Sequence, residues 1–104
     1  MIGKDRADTL APLGNLVREG VPVTFHSDFP VAPPRPLLGA SLAASRSVGS
    51  GQVLGEHQSV SVTDALRMIT IDAAYVLGLD DKIGSLEPGK LADMTVLEDD
   101  PYGM

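Results

Sequence analysis

One run in this chain has the composition of a strand covered on both faces: Val21-Pro22-Val23-Thr24-Phe25. An unbroken stretch of β-branched and aromatic residues is typical of buried parallel strands. Such a strand cannot stand alone, because its backbone groups bond only to neighbouring strands. Beyond it the sequence offers a single hairpin, Ile83–Leu86 and Leu91–Leu97 around Glu87-Pro88-Gly89-Lys90. One buried strand and one hairpin do not make a sheet that helices can cover on both sides. The expected fold class is therefore α/β, with the chain forming the end of something larger. The run finishes on His26-Ser27-Asp28, and polar residues at the C-terminal end of a parallel strand stand where α/β folds place their chemistry.

The surrounding pattern is helical. Leu10, Leu13, Leu16 and Val17 form an apolar stripe within Asp5–Glu19. Pro12 suits a first turn, so the regular helix is expected to start near Thr9 or Ala11. Gly20 is placed to end it in the left-handed conformation. Four prolines (Pro30, Pro33, Pro34 and Pro36) then exclude both helix and central strand and predict a stiff loop. Leu37–Arg46 reads as a helix with Pro36 in its first turn and Leu38, Leu42 and Ser45 on one face. Ser47–Gln58 reads as a Gly/Ser-rich connection. Ser61-Val62-Thr63-Asp64 approximates a capping box, Thr70 a second N-cap before Ile71–Leu77, and Gly78 a stop. Pro88-Gly89 fits a type II turn.

Bulk properties narrow the function. With 104 residues the chain is one small domain at most, far below the roughly 250 residues of a complete β/α barrel. A net charge of −6 argues against a nucleic-acid partner, which needs a basic face. No stretch approaches the ~20 apolar residues of a membrane span, so no membrane partner is expected. The absence of cysteine removes thiolate ligands and nucleophiles. The N-terminus lacks a signal-like apolar segment, and the expected location is cytoplasmic.

Three segments carry a family resemblance. Gly20 to Val31, with its Ser27-Asp28-Phe29-Pro30 signal, resembles the last barrel strand of metal-dependent amidohydrolases. Ser61–Leu66 and Thr70–Leu79 are similar to the helices that follow it there. Ile83 to Leu97, with the specific run Gly84-Ser85-Leu86-Glu87-Pro88-Gly89-Lys90-Leu91-Ala92-Asp93, resembles that family's return hairpin. The broad family-3 branch, which includes deacylases and other amide hydrolases, is the nearest match. The resemblance implies that residues 1–78 are the C-terminal end of a TIM-type (β/α)8 barrel. Residues 79–104 would be the hairpin of a small composite β-sandwich domain.

It also implies a function: hydrolysis of a carbon–nitrogen bond in a small molecule by a metal-activated water. The cofactor would be one or two divalent metals, usually zinc. On the motif match, Asp28 is both a metal-proximal carboxylate and the proton-carrying catalytic residue. From the residues alone it would be an aspartate capping the loop before the prolines. His26, two residues earlier on the same strand face, would line the substrate pocket or be a satisfied barrel histidine. Arg35 would bind a substrate carboxylate or stay solvated. His57, Asp64, Asp72, Asp80, Asp81, Asp99 and Asp100 read as solvated or capping groups.

The histidine pairs and bridging lysine of the family are missing. Only His26 and His57 are present, so this chain alone is expected to bind no metal and to be inactive. Two readings of the chain stay open: a fragment of a longer enzyme, or a remnant. The rival function is a non-catalytic module that self-associates as a homo-oligomer or complements the remaining barrel segment, with Leu10, Leu13, Leu16, Val17 and the run Val21–Phe25 exposed as its surface.

Overall fold

The computed structural model describes residues 12–46, 51–53 and 55–103. Among them four helices run in order: α1 (Leu13–Arg18), α2 (Pro36–Ser45), α3 (Val62–Met68) and α4 (Ile71–Val76). Short 3-10 turns occupy Glu56–Gln58 and Pro101–Gly103. The expected beginning of the first helix, with Leu10 of its stripe, and residues 47–50 of the connection lie outside the described residues.

The helix ends follow their capping chemistry. Pro12 sits at the N-cap, and α1 runs from Leu13. At its other end Gly20 has φ +74, the Gly20 N–H donates to Val17 O (3.0 Å) and the Val21 N–H to Leu16 O (2.9 Å). These two bonds satisfy carbonyls the helix leaves free, in a Schellman arrangement. The same pair recurs after α4, with Gly78 N–H to Tyr75 O and Leu79 N–H to Ala74 O. Ser61 caps α3: its hydroxyl accepts the Asp64 N–H (3.0 Å) and donates to Asp64 Oδ2 (2.9 Å). Thr70 occupies the N-cap of α4, but its hydroxyl does not cap; it donates back to Leu66 O (2.7 Å) at the end of α3. Only one residue separates Ile69 from Ile71, so the hydroxyl is closer to the carbonyls behind it than to the amides ahead.

The core lies between α2 and α3: Met68 and Val60 are set among the small side chains of Ala40, Ala43 and Ala65, and Leu13, Val17, Val23 and Phe25, the face a self-associating module would expose, pack against it. The expected leucine face of α2 is not the buried one. Leu37, Leu38 and Leu42 are exposed, while Gly39 lies so close to Phe25 that an added Cβ would stand 2.5 Å from its ring. Small residues let the helix backbone approach; leucines there would hold it off. The described end of the connection before α3, Glu56–Gln58, is a 3-10 turn. Gln58 is fully buried, and its Oε1 accepts the Asn15 N–H at 2.9 Å, tying α1 to the Glu56–Gln58 turn.

The α/β expectation is met in its helices and not in its strands. Among the described residues no strand ladder forms; Val53 alone makes an isolated bridge. Residues 21–27 have no strand beside them, and residues 91–97 form no ladder and are exposed throughout. The cause is physical: a strand's backbone bonds lie between segments, and no partner segment is present among the described residues. The turn of the expected hairpin does form. Gly89 has φ +93, the Lys90 N–H donates to Glu87 O at 3.1 Å, and the Leu91 N–H donates to Lys82 O at 2.9 Å.

Candidate functional site

Segment 21–28 is held against the helices by its middle residues. Val23 and Phe25 pack on the core, and the Thr24 hydroxyl donates to Met68 O (2.6 Å) at the end of α3. Beyond Phe25, exposure and half-burial alternate: His26 exposed, Ser27 half-buried, Asp28 exposed. By the period of two, Thr24, His26 and Asp28 share one side: Thr24 is tied to α3 by its hydroxyl, while His26 and Asp28 are open to solvent.

Asp28 then breaks the pattern. Its φ is +52, a left-handed conformation that aspartate tolerates better than most residues but that still costs about 1 kcal/mol. Both of its backbone groups are held. Its N–H donates to His26 Nδ1 at 3.1 Å, and its carbonyl accepts the Val31 N–H at 2.8 Å. The Phe29–Pro30 peptide inside that turn is cis. The carboxylate itself has no hydrogen-bond or ion-pair partner among the described residues, and its neighbours Phe29 and Val31 are strongly exposed.

The structure therefore brings His26 and Asp28 together. Arg35 is exposed at the N-cap of α2 and forms no ion pair with Asp28. His57 is exposed, and its carbonyl accepts from Arg18 (3.1 Å). Asp72 pairs with Arg67 at 3.3 Å. Sequence reasoning misses Thr24, although a hydroxyl inside an apolar run needs a partner and so signals one. It also misses a network beside the turn. Ser85 donates to Glu87, and Lys90 Nζ bonds Ser85 Oγ (2.8 Å) and Glu87 Oε2 (3.0 Å). The Ser85 hydrogen bond, then the hydrogen bond and charge of Lys90, hold the Glu87 carboxyl below its ordinary range.

The clefts lie elsewhere. One of about 410 Å³ opens between Val21 at the start of the segment and Arg67, Asp72 and Tyr75 of the helix pair. Another of about 490 Å³ lies between Ser41 and Ala44 of α2 and Val60 and Val62. Neither is lined by His26, Asp28 or Arg35, so we assign the site by its polar groups. As a metal ligand Asp28 has the right donor: an exposed carboxylate with no ion-pair partner among the described residues. It is one donor, whereas zinc takes three or four protein ligands. Among the described residues no group of three His, Asp or Glu side chains converges. No step through a metal follows from these residues alone. No helix among the described residues is long and apolar enough to cross a membrane.

Comparison with known proteins gives this geometry its context. The sequence model described as "Amidohydrolase family" matches residues 1–104. An N-substituted formamide deformylase of Arthrobacter pascens is 35% identical over 92 residues, covering 88% of this chain and 17% of its own length. A 5-methylthioadenosine/S-adenosylhomocysteine deaminase of Symbiobacterium thermophilum is 34% identical over 88 residues, 84% of this chain and 20% of its own. The crystal structure of an uncharacterized metal-dependent hydrolase from Pyrococcus horikoshii OT3 superposes with a TM-score of 0.81 at 31% identity. That match covers 98% of this chain and 21% of the other. The chain thus spans about a fifth of the length of the relatives it matches. On sequence and on fold alike, the chain belongs to the amidohydrolase family.

Proposed function

We propose that this chain is the C-terminal part of a cytoplasmic, metal-dependent hydrolase that cleaves a carbon–nitrogen bond in a small molecule. Residues 1–78 supply the last repeat of a TIM-type barrel, and residues 79–104 a hairpin of a small β-sandwich. The observation that carries this reading is the segment ending at Asp28: Val23, Thr24 and Phe25 held on the helices, no partner strand among the described residues, and a carboxylate left open at its end. Exposed Leu91, Met94 and Val96 support the hairpin, because they form an apolar arm that lacks a sheet. The deformylase and deaminase relatives both act, by name, on groups joined through nitrogen.

Asp28 would be one donor to a divalent metal, zinc by preference, whose other ligands come from earlier barrel strands. Bound there, such a metal lowers the pKa of water toward neutrality. The chain's own contribution is the Asp28 carboxylate, which takes up a proton and returns it to the leaving nitrogen. His26 borders the pocket through its Nε2 edge, and Arg35 meets a carboxylate of the substrate. Alone, the chain has no turnover.

The test uses the full-length protein with N-phenylformamide and 5′-methylthioadenosine as probes, following formate and ammonia release with and without chelator. Asp28→Asn should lower kcat about 10²- to 10⁴-fold, the usual weight of a positioned acid–base group. Chelator-insensitive turnover, or an unaffected Asp28→Asn variant, overturns the reading. A second reading rests on the exposed Leu37, Leu38 and Leu42 of α2: a non-catalytic module that pairs with its own copy or a partner. Sedimentation of the chain, alone and mixed with the remaining barrel segment, tests the second reading, which requires a mass that rises with concentration or on mixing.

A further inference from the structure

We infer that His26 is a positioning residue that sets the direction of the Asp28 carboxylate through its Nδ1, independently of any substrate contact at Nε2. The inference rests on the reading of Asp28 as the reacting carboxylate. Its ground is the asymmetry at Asp28. The backbone is held on both sides, the N–H by His26 Nδ1 at 3.1 Å and the carbonyl by the Val31 N–H at 2.8 Å. The side chain is held by nothing among the described residues. A residue at φ +52 holds a left-handed backbone, so its side-chain direction depends on whatever keeps that φ in place. The Val31 bond closes the turn from the far side. Among the described residues, the anchor from the strand side is the imidazole, which reaches forward two residues to the amide.

This assigns the ring's chemistry. To accept the amide proton, Nδ1 must present a lone pair, so the neutral ring carries its proton on Nε2. Nε2 then faces outward as a donor, and the ring is exposed, with no carboxylate partner among the described residues to dictate the opposite tautomer. An asparagine in the same place has an oxygen that accepts the amide two residues ahead, as in an Asx-turn. Phenylalanine has the bulk and no acceptor. The two substitutions therefore separate anchoring from ring contact.

Three variants of the full-length enzyme, His26→Asn, His26→Phe and Asp28→Asn, are compared by zinc affinity in a chelator competition and by kcat and KM for N-phenylformamide. We expect His26→Phe to weaken zinc binding and lower kcat about 10- to 100-fold, the usual loss when an outer support of a ligand is removed. His26→Asn should keep both within about 3-fold of wild type on the same scale. A contact through Nε2 would appear in KM alone. If His26→Asn is as poor as His26→Phe, or if both equal wild type, the inference is overturned while the role of Asp28 stands. If Asp28→Asn leaves zinc affinity and turnover intact, the proposed function falls, and the inference with it. Should His26→Phe fail to fold, the ring ¹⁵N spectrum of the wild-type enzyme decides: a proton on Nε2 supports the anchor, and one on Nδ1 refutes it.

Discussion

Gly39→Ala probes the contact that seats the site-bearing segment on the helices. The new Cβ would stand 2.5 Å from Phe25 Cε2 and 3.2 Å from Cδ2. Carbon atoms rest about 3.5–4.0 Å apart, so the ring or the helix must move by roughly 1 Å. Overpacking of this kind costs about 1–3 kcal/mol. Against it stands the helix preference of alanine over glycine, about 0.8–1.0 kcal/mol in the interior of α2. The net expectation is a loss of about 0–2 kcal/mol, with ~1 kcal/mol moving the melting point roughly 4–8 °C in a domain of this size. The decisive measurement is a double-mutant cycle with Phe25→Val, read by urea denaturation. Without the ring, Gly39→Ala should become stabilising by about 1 kcal/mol, because only the helix preference remains. A stabilisation of the same size in both backgrounds would refute the close approach of α2 to Phe25, and with it the account of how segment 21–28 is placed.

Two further outcomes follow from local geometry. Gly84 and Gly78 both have positive φ, but a Cβ on Gly84 would meet Ala74 Cβ at 2.8 Å and Ile71 Cα at 3.0 Å, whereas one on Gly78 meets nothing. In thermal melts Gly78→Ala should therefore cost about 1 kcal/mol and Gly84→Ala about 2–4 kcal/mol, the excess being the clash; equal losses would contradict the packing of this loop on α4. The lowered Glu87 pKa means that its interactions add stability above the unfolded carboxylate's pKa, and that this is lost as pH falls through the lower folded value. A carboxyl ¹³C titration should place Glu87 below an ordinary glutamate, and Lys90→Met should move it up; an unmoved value would remove Lys90 as a cause.

What the sequence discloses divides by the range of the interaction. Gly20, Gly78 and Gly89 are legible as stops and turn because each needs only its own φ and one or two bonds to residues close by in the chain. Ser61 with Asp64 is legible for the same reason. The face of α2 is not. Leucines at helical spacing announce a core, but whether they reach it depends on what lies across from them, and here a phenylalanine ring rests on Gly39 while Ala40 and Ala43 join the core with α3. Gln58 is hidden in a stretch that reads as a polar linker, since its burial depends on Asn15, forty-three residues away.

The candidate site combines both cases. The position of Asp28 can be read from an apolar run ending on a polar group. The hydrogen bond between His26 Nδ1 and the Asp28 amide cannot be read, because a ring two residues before an aspartate on a regular strand would lie too far along the face to reach its backbone. It goes with Asp28 at φ +52 and a turn closed by the Val31 N–H. The left-handed turn that the sequence does not announce is thus what holds the Asp28 backbone on both sides.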